Sequence, residues 1–242
     1  MVAESRAMVK QHKKTGMEPE ILAVALARSV WLINLNELNP AGRAVYPELL
    51  PRLRELYKFQ TSPESATITA EENGLRFSEG VFQDRKGNPI AINLTIFNDG
   101  LSADSRSSTD DTDAFLDDAL RHGVDEFGLV YRPDLFHSRI HVSELFFRCP
   151  FSLNLINPEL AAFSEAIRIA AAKDGRDGEW ETAGLTFSPD PVATPNWKAM
   201  QFKIERRVDS SFTEFRYYSF APVSTSAHIA LLKDFVRLAN AG

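Results

Sequence analysis

Seven aspartates crowd one stretch of this chain: Asp99, Asp104, Asp110, Asp111, Asp113, Asp117 and Asp118. Carboxylates near a strand end can hold Mg²⁺, which takes few protein ligands and keeps several waters, and the ion can then activate a nucleophile or steady a leaving oxygen. A divalent-metal-dependent hydrolase or nuclease using Asp99, Asp104 and Asp110 to Asp113 is therefore one functional expectation. Local structure offers a simpler use for the same acids. Asp99 sits in Asn98-Asp99-Gly100, where an aspartate hydrogen-bonds its own backbone in a turn, and Asp110, Asp111 and Asp113 fall in a helical first turn, where acids complement the helix dipole. A metal nuclease would also want a Glu-x-Lys on a following strand; none occurs after Asp99, and Lys203-Ile204-Glu205 has the order reversed.

A second set, His137, His141, Glu144 and Cys149, resembles a zinc ligand list. Four-residue spacing brings two imidazoles to one metal only on a helix; on a strand they stand about 13 Å apart. Ile140, Val142, Phe146 and Phe147 mark this segment as strand, so zinc is disfavoured. There is no nucleophile elbow, phosphate-binding loop, dinucleotide fingerprint or His-Glu-x-x-His helix, and none of His12, His122, His137, His141 and His228 has a sequence neighbour that nominates it as a base. The sequence thus assigns no catalytic, cofactor-binding or metal residue, and leans away from an enzyme.

Composition narrows the partners. A net charge of −6 and a pI near 5.5 argue against a general phosphate-backbone binder, so nucleic acid is not an expected partner; Lys203, Arg206 and Arg207 are the densest basic spot, and Glu205 interrupts them. The single cysteine, Cys149, excludes an intrachain disulfide, fits a reducing cytoplasmic setting and reads as a buried structural thiol. The longest apolar run, Ile21 to Leu35, is broken by Arg28 and Asn34, so no membrane span is expected. Glu18 and Glu20 directly before a minimal apolar core disfavour a cleaved leader.

The elements that would position these residues read as an α+β chain, mainly antiparallel sheets with helices packed on them. Residues 1–17 read as a flexible tail, 18–133 as an N-terminal lobe and 134–242 as a C-terminal lobe, with one continuous domain as the alternative. The clearest stretch is 90–120. Ile90, Ile92, Leu94 and Ile96 alternate as a strand, Asn98-Asp99-Gly100 turns the chain, and Ser108 caps a helix carrying Phe115, Leu116 and Leu120. Elsewhere the spacing predicts a helix at 19–29, a strand from Val30, a turn at 41–46 followed by a helix starting near Pro47 or Pro51, and strands at 66–70, 75–83 and 138–149. A helix follows from Asn157-Pro158, with Leu160, Phe163, Ile167 and Ala171 as its buried stripe. Strands at 180–187, 198–208 and 212–220 and a helix capped at Ser224 complete the order, with a flexible loop at 188–196.

That order repeats. Leu38-Asn39-Pro40 matches Ile156-Asn157-Pro158, Gly74-Leu75-Arg76-Phe77 matches Gly184-Leu185-Thr186-Phe187, and Ser108-Thr109 matches Ser224-Thr225, at similar offsets. Two similar lobes from an internal duplication would follow, with a groove at their junction as the natural binding place. Phe146-Phe147 and Tyr217-Tyr218 add a parity argument: in a sheet covered on one side, one of each pair must face outward. Motif absence and surplus aromatics together predict a non-enzymatic protein–protein interaction subunit or adaptor of a multiprotein assembly, with homo-oligomerisation left open.

Overall fold

The computed structural model describes residues 18–63, 74–193 and 200–239. The expected N-terminal tail, the strand at 66–70 and the end of the proline loop lie outside them.

The first apolar run is a strand, not the expected helix. β1 (Glu20–Leu32) is thirteen residues long, and its register against its neighbour slips between Ile21 and Ala23 and again between Val24 and Leu26. Each bulge adds a residue to one face. Ile21, Val24, Ala27, Ser29 and Trp31 therefore reach the same side at spacings of three, three, two and two, and the first of these mimic a helix.

Beyond β1 come a one-turn helix α1 (Leu35–Leu38), α2 (Tyr46–Tyr57), β2 (Leu75–Gln83), β3 (Pro89–Phe97), β4 (Gly100–Ser105) and α3 (Thr109–Phe127). Local chemistry sets their ends. Asn39 Oδ1 accepts from Arg43 N across the turn before α2, Pro47 sits in the first turn of α2, and Ser108 Oγ caps α3 by accepting from Asp111 N. Gly128, in the left-handed region at φ 66°, closes α3. The second half repeats the order with β5 (Ser138–Arg148), a 3₁₀ turn at Leu153–Ile156, α4 (Pro158–Lys173), β6 (Gly184–Phe187), β7 (Phe202–Arg206), β8 (Arg216–Ala221) and α5 (Thr225–Ala239).

The eight strands among the described residues form one antiparallel sheet in the order β2-β3-β4-β1-β5-β8-β7-β6. Exchanging β1–β4 with β5–β8 returns the same order, so the fold is α+β with two topologically equivalent halves joined edge to edge by β1 and β5. The junction is a strand pair rather than a cleft. On it, Ala27 faces Ser143, and above them the first residues of α3 and α5 bond reciprocally: Thr109 N donates to Thr225 Oγ1 at 3.1 Å and Thr225 N to Thr109 Oγ1 at 2.9 Å. Both pairs are separated by 116 residues (143 − 27 for the first), as a pseudo-twofold axis through them requires. The caps repeat too, Asn34 Oδ1 accepting from Asn36 N before α1 and Ser152 Oγ from Asn154 N before the 3₁₀ turn.

Each half has its own core on the same side of the sheet. Trp31, Tyr57, Phe59, Phe77, Phe115 and Leu116 centre the first, with Tyr57 and Phe115 edge to face at 4.8 Å. Leu145, Phe147, Tyr217, Leu232 and Val236 centre the second. Cys149 lies within this second core, where burial pushes its thiol up to about 11. One helix departs from expectation: in α4 Ala171 is buried as the spacing predicts, but Phe163 is 65% exposed and Ser164 is buried instead.

Candidate functional site

Helices α2, α3 and α5 all bury their apolar stripes against one face of the sheet. The alternate side chains of the strands point to the other face, away from both cores; among the described residues many of them are half-buried by one another, while Arg76, Ala91 and Asn93 are exposed and Val142 is buried. The parity argument resolves here: Phe147 and Tyr217 are fully buried under the helices, and Phe146 and Tyr218 lie on the open face. They are cross-strand partners with ring centroids 5.9 Å apart. Tyr218 is tied to Glu144, and its hydroxyl pKa is raised, first by burial and then by that carboxylate.

Toward the strand junction the apolar strip continues through Leu26, Val30, Ile140 and Val142, because β1 and β5 pair in register there: Val30 opposite Ile140, Arg28 opposite Val142, Leu26 opposite Glu144. Charged groups border it in pairs. Arg28 donates through Nε and Nη2 to the two carboxylate oxygens of Asp104 at 2.6 and 2.7 Å, and Arg207 lies 4.5 Å over the Phe146 ring while bonding Asp209. Arg148 pairs with Glu20 and Arg216 with Glu214. An apolar strip inside a polar rim is how protein–protein interfaces are composed. Arg28 is 42% exposed at its side chain, so its pair contributes at most about 1 kcal/mol to stability and mainly fixes the rim's geometry.

The opposite face holds the other notable cluster. Asp113, on α3, accepts from Trp31 Nε1 at 2.9 Å and lies 2.8 Å from His141 Nε2, while Ser29 Oγ is 2.8 Å from Thr112 Oγ1. Several hydrogen bonds hold Asp113 below the usual carboxylate range against the opposing effect of its burial, and the bond to Asp113 raises His141. Serine, histidine and aspartate are thus close, but the aspartate stands between the other two and Ser29 is fully buried. A hydrolytic triad needs the histidine in the middle and an exposed hydroxyl. This cluster ties β1, β5 and α3 together.

The sequence-nominated acids are not gathered into one site. Asp104 faces the open side with Arg28, Asp113 the helical side, Asp111 accepts from Ser108, Asp117 accepts from Tyr131 and Arg121, and Asp118 from Tyr57. Among the described residues no three His, Cys, Asp or Glu side chains converge as a metal site would need. His137 precedes β5, Glu144 faces the open side and Cys149 is in the core, so the zinc list is dispersed as well. Millimolar Mg²⁺ or Mn²⁺ is accordingly expected to leave the melting temperature within about 1 °C; a clear rise would show that the native state binds the ion. Arg206, read as part of a basic spot, instead turns under the helical layer, donating to Glu181 at 2.7 Å with its side chain 8% exposed.

Sequence reading missed Leu26 and Arg28, which the expected helix hid, and the Asp113–His141 pair, whose members lie on different elements; Val30 it placed at the start of a strand that in fact begins ten residues earlier. Two apolar spacings of three followed by strict alternation at Ala27, Ser29 and Trp31 were the available signal for a bulged strand. No helix among the described residues is long and apolar enough to cross a membrane.

No family model matches the chain, and no curated protein matches it. Among solved structures, Methanococcus jannaschii TBP aligns over 93% of this chain and 100% of its own, with a TM-score of 0.39 and 11% identity. A likeness that weak carries no argument about this chain.

Proposed function

We propose that this protein is a non-catalytic binding subunit that docks a partner protein against the face of its sheet opposite the helices. The observation that carries the reading is the group of Val30, Ile140, Phe146 and Tyr218, half-buried around the buried Val142 at the junction of the halves, with Glu144 and the Arg28–Asp104 pair set among them. Flat area and aromatic anchors favour a macromolecular partner, and the ionic state of the rim favours protein over nucleic acid. Arg28, Arg148, Arg207 and Arg216 already have carboxylate partners, so they have little charge left to exchange for phosphate counterions. We read the pseudo-symmetry as the product of an internal duplication, which would have doubled the width of this face. A reducing, cytoplasmic setting accords with the single buried thiol.

The test is purification of the tagged full-length chain from its native cell, followed by native mass spectrometry, in parallel with Val30→Glu and Phe146→Glu. Stoichiometric partner subunits are expected with the parent chain. Either substitution should lower their recovery about tenfold or more while leaving the thermal transition cooperative. A bare monomer or homodimer would contradict the subunit reading. Recovery unchanged in both variants would move the docking surface off the sheet.

A further inference from the structure

We propose that the N-terminal half also carries a ligand site for a small uncharged molecule with an apolar body, a monocyclic aromatic being the simplest fit. The site lies on the helical side, away from the sheet face, and does not depend on the docking proposal. It is a cavity of about 120 Å³ between α2, α3 and strands β3 and β4. Its walls include Leu94, Ile96, Leu101, Leu116 and Leu120, each at least nine-tenths buried.

The chemistry of the lining selects the ligand. None of the residues around the cavity is charged, in a chain that is 25% charged overall. A water inside needs two to four polar partners, and apart from Asn36, Asn39 and Tyr46 every lining side chain is apolar; an apolar cavity of about 150 Å³ is known to stay dry yet take up benzene. The present space therefore suits a body of about six or seven non-hydrogen atoms. The polar side chains in the lining are those of Asn36, Asn39 and Tyr46. The Asn39 amide is occupied at both of its atoms by the Arg43 main chain, which leaves Asn36 and Tyr46 to meet one polar substituent. Asn36 is exposed, so the cavity opens to solvent beside it.

A further wall is shaped by a residue that a helix interior does not favour. Gly123 lies inside α3, and a Cβ there would stand 2.8 Å from Leu129 Cδ1. Its lack of a side chain lets Leu129 pack close to the helix and line the cavity. In the other half the helix that corresponds to α2, α4, leaves Phe163 in solvent.

Toluene near its aqueous solubility is the first probe, added to the full-length protein. A rise in melting temperature of about 2–4 °C is expected, together with intermolecular NOEs from toluene to the methyl groups of Ile96 and Leu116. Benzoate at equal concentration should give neither. Ala119→Leu, which fills the cavity from α3, should abolish the toluene shift. The proposal is overturned if toluene gives no NOE to those methyls, if benzoate stabilises as well as toluene does, or if a folded Ala119→Leu protein still responds. The NOE measurement on the parent chain decides the matter even where the variant does not fold.

Discussion

On acidification from about pH 7 to pH 4.5 the protein is expected to lose roughly 2–3 kcal/mol of stability through one side chain, His228. This histidine is fully buried where α5 packs on the sheet, with Nε2 2.8 Å from Ser219 Oγ. Burial lowers its pKa to about 4, with the Ser143 main chain pulling weakly the other way. The unfolded chain takes up the proton near pH 6.5, so below that value the unfolded state binds more protons and gains on the folded one. The contribution is therefore complete above about pH 6.5 and is lost as pH falls toward 4, at about 1.4 kcal/mol per unit. Carboxylates with lowered pKa values, Asp84, Asp113 and Asp117 among them, give up their contributions only at lower pH, while His141, raised by Asp113, works in the opposite sense at the upper end of the window, so the His228 loss is read as the difference between the parent and a His228 variant.

The control is His228→Leu. Ser219 Oγ also donates to the Lys203 carbonyl at 2.7 Å, so removing the imidazole leaves that hydroxyl bonded. Urea midpoints across the range should fall steeply for the parent protein and stay much flatter for the variant. Parallel curves would mean that His228 becomes protonated without unfolding the core around it.

Sequence reading did well where the signal was local and poorly where it depended on pairing. β3, the turn at Asn98-Asp99-Gly100 and the Ser108 cap of α3 stand where alternation, turn chemistry and capping put them. Of the repeated motifs, Ser108-Thr109 and Ser224-Thr225 open equivalent helices, whereas Asn39 ends α1 instead of capping α2 as Asn157 caps α4. β1 failed because its two bulges are visible only against β5, and without β1 as a strand the apolar strip had no centre. Parity could say that one of Tyr217 and Tyr218 must face outward. Only the helices, by covering Tyr217, could say which. The Asp113–His141 pair needed a helix laid across a strand 28 residues later in the chain, and nothing in either segment names the other.

Asp113→Leu is expected to cost about 2–4 kcal/mol, and Asp113→Asn about 1 kcal/mol near pH 5.5 and less near pH 8. The fold itself does not demand an acid here. The residue that the pseudo-twofold relates to it, 116 later, is Ile229, which packs with Val24 against the second core. Leucine at 113 nevertheless faces a receptacle built for a carboxylate. It leaves the indole N–H of Trp31, a residue 1% exposed, without its acceptor, and an orphaned buried donor costs about 1–3 kcal/mol. It also strips His141 of the partner that raises its pKa.

Asparagine separates the two effects. Its carbonyl still accepts from Trp31, so what it removes is the charge on the His141 side. A raised histidine contributes stability that is fully present below its unfolded pKa, about 6.5, and is lost as pH rises through the folded value; a lowered Asp113 contributes above its unfolded pKa and loses it as pH falls. Both are charged between about pH 4 and 6.5, where the pair is strongest and where Asp113→Asn should be most damaging. Near pH 8 the neutral imidazole can accept from the new amide, and the deficit should shrink. Urea unfolding at the two pH values measures this directly, with unchanged m-values confirming that the same surface is exposed. An Asp113→Asn deficit that is equal at both would reduce the pair to hydrogen bonding alone.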